Sequence, residues 1–83
     1  MKREQMEAIA TRATQLAASK PGVMDEYMTE QRYYEEYLDQ LRTGDTIWLR
    51  SWIGQEIEVG CREAVEILKM WIRAELQVVG GER

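Results

Sequence analysis

The sequence contains no histidine and no phenylalanine, and it has one cysteine and one proline. Without histidine the chain lacks the commonest general base and the commonest metal ligand, which excludes Ser–His–Asp and Cys–His triads and His-containing zinc sites within it. It also has neither a Gly-x-Gly-x-x-Gly segment nor a Gly-x-x-x-x-Gly-Lys phosphate-binding loop. We therefore expect a protein that is not an enzyme and that binds no metal or cofactor.

The single cysteine, Cys61, cannot form an intrachain disulfide. Its spacing places it on the apolar side of a predicted helix, where we expect a small buried hydrophobe rather than a reactive thiol. A lone reduced cysteine fits a reducing compartment and predicts a cytoplasmic location. The N-terminal segment is charged and no long apolar run follows it, so we expect neither a signal peptide nor a membrane span.

The net charge is −4, from 15 acidic and 11 basic residues. Nucleic-acid binding normally requires a concentrated positive surface, and here no basic face dominates, so we expect no nucleic-acid partner. A helix-turn-helix layout around residues 43–45 has the same weakness, because its second helix would offer Arg50 among acidic residues. An acidic surface instead favours solubility or a basic partner.

Apolar residues at three- and four-residue steps predict helices throughout a single domain, residues 1–83. The first predicted helix covers Lys2 to Ser19 and ends before Pro21, which disfavours helical geometry at the preceding residue. The second covers Val23 to Arg42, followed by a glycine suited to a C-cap. Its predicted core face comprises Met24, Tyr27, Met28, Tyr34, Leu38 and Leu41.

Two further tyrosines, Tyr33 and Tyr37, lie four residues apart near the edge of the acidic face of this second helix. Either they are a solvated flank or they form an aromatic contact patch, because tyrosine is enriched at interfaces.

Residues 45–60 allow two structures. A third helix capped by Asp45 or Thr46 would continue into the last apolar stripe, with a bend at Gly54 or Gly60. A β-hairpin turning at Gly54 is the alternative, since Glu56 to Val59 alternates in polarity. We favour the helix, because an isolated two-stranded hairpin is marginally stable.

The C-terminal segment carries two apolar stripes at helical spacing. We expect the first to be the intramolecular core; it comprises Ile57, Cys61, Val65, Leu68, Ile72, Leu76 and Val79. The second contains Ala64, and its members Ile67, Trp71 and Val78 are the predicted oligomer interface, since the apolar arc is wider than one neighbouring helix can cover. The predicted fold is all-α: a three-helix bundle, or a helical hairpin plus a long C-terminal helix, completed by homo-oligomerisation with a dimer favoured.

The residues most suggestive of recognition are Trp48, Arg50 and Trp52, because tryptophan and arginine are enriched at binding hot spots. With Tyr33 and Tyr37 they are the predicted partner-binding residues. The function we expect is a small acidic helical protein-interaction module that regulates or inhibits a partner by occupying its surface. The alternative is a helical oligomer that captures a planar anionic small molecule between aromatic and arginine side chains.

Overall fold

A computed structural model describes the backbone of residues 1–81 and the side chains of residues 1–76. The described residues form four helices: α1 (Arg3–Ala18), α2 (Glu30–Thr43), α3 (Ile47–Glu58) and α4 (Arg62–Gly81). No strand occurs in the described part, so the predicted all-α class is confirmed, with four helices where the sequence predicted three.

Helix α1 packs against both α2 and α4, whereas α3 packs on α4. One side of α1 is made of small side chains, and Ala10, Ala13 and Ala17 are fully buried. Alanine at contact positions allows neighbouring helix axes to approach closely. The observed ends of α1 lie within one residue of the prediction.

The segment between α1 and α2 is not helical, so the predicted start of the second helix at Val23 is wrong by seven residues. The Asp25 carboxylate accepts hydrogen bonds from the backbone N–H groups of Tyr27 (2.8 Å) and Met28 (2.7 Å). Both hydrogen bonds lower the pKa of Asp25, and the bond from Met28 has the larger effect. The hydroxyl of Thr29 then caps α2 by accepting from the Arg32 N–H. Short polar side chains that bind nearby backbone compete with helix in this way.

Helix α2 buries Tyr33, Tyr37 and Leu41, which recur every four residues. The prediction that the two tyrosines form an exposed flank or patch is therefore wrong. Of the predicted core face, Leu41 is buried, while Tyr27, in the turn before the helix, is 74% exposed. The remaining members are partly buried and pack against the core: Met24, Met28, Tyr34 and Leu38.

The segment that allowed two structures is helical in α3, and the chain breaks at Gly60 rather than Gly54. Gly60 has a φ of 85°, a left-handed conformation that favours glycine. Its N–H donates to the Ile57 carbonyl and the Cys61 N–H donates to the Glu56 carbonyl. This pair of bonds is the Schellman motif, which ends α3 and separates it from α4.

Helix α4 buries the stripe that the sequence assigned to an oligomer interface. Among the described side chains of α4, the buried ones are Ala64, Ile67, Trp71 and Ala74. The interface prediction is wrong for Ile67 and Trp71, and the side chain of Val78 lies outside those described. The prediction that the other stripe forms the core is wrong for three of its residues, Leu68, Ile72 and Leu76.

Of the residues expected in the core, Leu68 is 36%, Ile72 47% and Leu76 64% exposed. Ile57, Cys61 and Val65 are half-buried, and the first two pack against the core, while the side chain of Val79 lies outside those described. Small clefts between α1 and α4 are lined by Ile67 and by Ala74, which shows the side of α4 that α1 approaches. Both stripes have the same helical period, so the period could not distinguish the one that faces α1.

Two neighbouring substitutions test this assignment. Ile67→Ala should lower the free energy of unfolding by about 2–5 kcal/mol, because it leaves a cavity in the core. Leu68→Ala, one residue further on, should cost only about 1 kcal/mol or less, because its side chain is already partly in water. Urea denaturation of both variants and of the parent gives the comparison; a larger loss for Leu68→Ala would reverse the two faces.

Candidate interaction surface on α3 and α4

A groove runs between α3 and α4 on the outer side of the molecule, with a volume of about 180 Å³. We call it the α3–α4 groove; its lining residues are Arg50, Ile53, Gly54 and Ile57 of α3 and Leu68, Trp71, Ile72 and Glu75 of α4. Ile53 and Trp71 are buried and form its base, whereas Ile72 is about half exposed and forms part of its wall. Most of this lining is apolar although it is open to solvent.

One end of the groove is closed by an ion pair. Arg50 Nη2 donates to Glu75 Oε1 at 2.8 Å, and the Arg50 guanidinium lies 5.5 Å from the centre of the Trp71 ring. The guanidinium thus covers Trp71 while the carboxylate fixes its position. Both charged side chains are about half exposed, so the ion pair contributes on the order of 1 kcal/mol or less.

The groove continues onto the apolar face of α4, which we define as Leu68, Ile72 and Leu76. These residues follow one another at four-residue steps and therefore lie on one side of the helix. A single exposed leucine is common on protein surfaces, but a contiguous exposed apolar patch marks interaction sites. The face is not covered by any other described part of the chain.

The predicted recognition residues are not brought together. Trp48 is 59% exposed, while Trp52 is half-buried with its ring edge-on to Tyr33, 6.4 Å between centroids. Arg50 is two residues from each tryptophan, a rotation of about 200° around the helix. Arg50 therefore points to α4 while Trp52 points to α2, so the three residues do not form one surface.

Sequence reasoning missed Ile72 and its neighbours as surface residues. The available signal was the pair of small residues, Ala64 and Ala74, on the other stripe of α4. Alanine marks close helix contact, as the alanine side of α1 already suggested.

The buried tyrosines of α2 have hydroxyls without hydrogen-bond partners among the described residues. The rings of Tyr33 and Tyr37 lie 6.0 Å apart between centroids. Burial, and secondarily the negative charge of Glu56, raises the pKa of Tyr33 to about 12. Burial first, and then Tyr33, raises the pKa of Tyr37 as well.

A second cluster lies where α1 and α3 end and α4 begins. Lys20 Nζ lies 3.1 Å from Glu56 Oε2, and this hydrogen-bonded contact raises the pKa of Lys20. Cys61 is half-buried, packs against the core and donates to Glu63 Oε2 at 3.5 Å, and that carboxyl has a lowered pKa, chiefly from a backbone hydrogen bond. Within the described residues no group of three or more potential ligands is arranged to hold a metal ion.

No family model, no curated protein and no solved structure matches this chain. Among the described helices, none combines the length and the apolar character needed to cross a bilayer.

The raised pKa of Tyr33 predicts a loss of stability in alkali. An unfolded tyrosine has a pKa of 10, below the folded value of about 12, so the unfolded chain releases this proton first as the pH rises. The contribution of Tyr33 is thus fully present below pH 10 and is lost as the pH rises from 10 through 12. Tyr33→Phe should flatten the fall in unfolding free energy measured by urea titration over this range.

At neutral pH the same variant should be as stable as the parent or slightly more stable, because the hydroxyl that it removes is buried without a partner. An alkaline loss of equal size in parent and variant would contradict the assignment of the titration to Tyr33.

Proposed function

We propose that this chain is a small, non-enzymatic protein-interaction module that regulates or inhibits a partner by occupying its surface, and that it contacts the partner through the α3–α4 groove and the apolar face of α4. The observation that carries the proposal is the exposure of Leu68, Ile72 and Leu76 beside an open apolar groove. Exposing this face costs hydrophobic free energy in the isolated chain, and a bound partner would recover it.

The size of the groove favours side chains of a partner protein over a free small molecule. Its volume of about 180 Å³ is below the roughly 300–1,000 Å³ of ordinary ligand pockets. Apolar side chains projecting from an amphipathic helix suit a shallow groove of this kind, with anchors at three- and four-residue spacing. The partner surface that we propose is therefore a helix with an apolar stripe.

The arrangement of Arg50 weakens the alternative function, capture of a planar anionic molecule. Its guanidinium already stacks over Trp71 and binds Glu75, so an incoming anion would compete with a carboxylate in place. Tyr33 and Tyr37, the other proposed stacking residues, are buried in the core.

The proposal also includes an additional contact residue and a cellular location. Trp48 remains a candidate for an additional contact, because its ring is largely exposed on the α2 side of α3. The single cysteine favours a cytoplasmic location.

Ile72→Glu should abolish groove-dependent binding, because it places a charge at the centre of the apolar face. Loss of a central anchor costs about 2 kcal/mol or more, equivalent to a Kd at least about 30-fold weaker. The matched control is Gln31→Glu, which adds the same charge at an exposed position in the first turn of α2, where the helix dipole tolerates an acid.

The measurement is quantitative affinity capture from the native host with the parent and both variants as baits, after circular dichroism has shown that each is folded. A protein retained by the parent and Gln31→Glu but lost with Ile72→Glu is the expected result, followed by titration of the purified pair. The proposal fails if the three baits retain the same proteins in the same amounts.

A further inference from the structure

We propose that the occupant of the α3–α4 groove is a second copy of this chain, related to the first by a two-fold axis that passes between the two α4 helices at the level of Met70, so that these helices run antiparallel. This inference rests on the proposed function, because it names the partner of that same surface. Self-association was expected from the sequence through Ile67 and Trp71; because both are buried, we assign the interface to the adjacent stripe of α4, where Leu68, Ile72 and Leu76 are exposed.

The apolar face of α4 is complementary to itself in this register. In an antiparallel pair centred on Met70, the residue n positions before Met70 in one copy lies level with the residue n positions after Met70 in the second copy. Leu68 is then level with Ile72 of the second copy, and Val65 with Glu75 and, within one residue, Leu76. Each exposed apolar side chain therefore meets another apolar side chain.

The charges on α4 agree with the same register. Glu66 and Arg73 lie seven residues apart, and seven residues are nearly two full turns, so both project from the same side of the helix. Arg73 also lines the cleft between α1 and α4, so this side borders the apolar face rather than forming part of it. With the axis at Met70, Glu66 of each copy comes within one residue of the level of Arg73 of the other, which gives two opposite-charge pairs. Arg73 makes no ion pair with any described residue of its own chain.

One like charge lies near the axis. Lys69 of each copy would approach its counterpart, but its own Glu66 lies 3.8 Å away and partly neutralises it. Glu66 thereby faces Lys69 within the chain and Arg73 across the interface.

Gly54 supplies an independent argument. It lies inside α3 and lines the groove, and a Cβ built there would meet nothing within 4 Å, so nothing in the single chain requires glycine at this position. Glycine also weakens an exposed helix relative to alanine. Because Arg50 contacts Glu75, the level of Met70 on α4 corresponds to that of Gln55 on α3, one residue from Gly54. The bare backbone at Gly54 thus lies near the proposed axis, where the α3 helices of two copies can approach closely.

A charge exchange on the full-length chain tests the register. Sedimentation equilibrium from micromolar to about 200 μM protein should show a monomer–dimer equilibrium for the parent. Glu66→Arg and Arg73→Glu should each weaken dimerisation by about 3- to 30-fold, because each creates two like-charge pairs. The double variant, with both substitutions in one chain, restores the opposite-charge pairs across the interface but loses the Glu66–Lys69 contact, so its Kd should lie between that of the parent and those of the single variants.

Arg12→Glu is the control for charge, because Arg12 is exposed, lines the cleft between α1 and the Ile67 side of α4 rather than the α3–α4 groove, and undergoes the same change as Arg73→Glu. It should leave the Kd within about 2-fold of the parent, since distant exposed charges are largely screened. An equal effect of Arg12→Glu and Arg73→Glu would show a general charge effect and overturn the register.

Gly54→Ala is a second test, because it should stabilise the monomer and weaken the dimer. It should raise the thermal midpoint of the monomer, measured in the Ile72→Glu background, because alanine favours helix and the added Cβ has free space. In the parent background it should weaken dimerisation by about 3-fold or more, because the same Cβ separates the two backbones. Unchanged or stronger dimerisation would overturn the proposed approach at Gly54.

Different results would overturn the second copy as the occupant of the groove and the groove as a binding site. A parent chain that stays monomeric at 200 μM, while Ile72→Glu still loses a captured protein, overturns the second copy as occupant and leaves the groove as the binding site of a different protein. A dimer that is weakened by both single charge variants and is no stronger in the double variant overturns the antiparallel register.

Discussion

The close packing of α1 against its neighbours is the constraint on which the rest of the structure depends. Its buried face includes three alanines, Ala10, Ala13 and Ala17, so α2 and α4 can approach it closely. On α4 the matching small residues are Ala64 and Ala74, on the stripe that faces inward. The close approach that these alanines allow brings Ile67 and Trp71 into contact with the neighbouring helices, where dispersion contacts favour their burial.

The exposed face of α4 is a consequence of that choice. A helix with two adjacent apolar stripes needs two sets of neighbours, and α1 covers only one stripe. Helix α3 lies at the border of the other stripe and leaves a groove there, with Arg50 and Glu75 closing one end. The candidate site is therefore apolar helix surface that the four described helices leave exposed to solvent.

Helix α3 shows how one short helix serves several neighbours. Leu49 and Ile53 enter the core, Trp52 packs edge-on against Tyr33 of α2, and Arg50 reaches across to α4. Residues two positions apart point to nearly opposite sides of a helix, so Arg50 and Trp52 are close in sequence but lie on two separate surfaces. Only Trp48 keeps a largely exposed ring.

The sequence by itself determined the helical class, the limits of α1, the C-cap glycine after α2 and the two candidate break points of the C-terminal half, because helical period and the backbone preferences of Pro and Gly are local properties. The side-chain hydrogen bonds of Asp25 are also local, but the apolar period masked them and the start of α2 was missed. Tertiary structure alone decided which stripe of α4, and which tyrosines of α2, are buried. A period specifies the faces of a helix, whereas the neighbour that covers each face is fixed only when the helices pack.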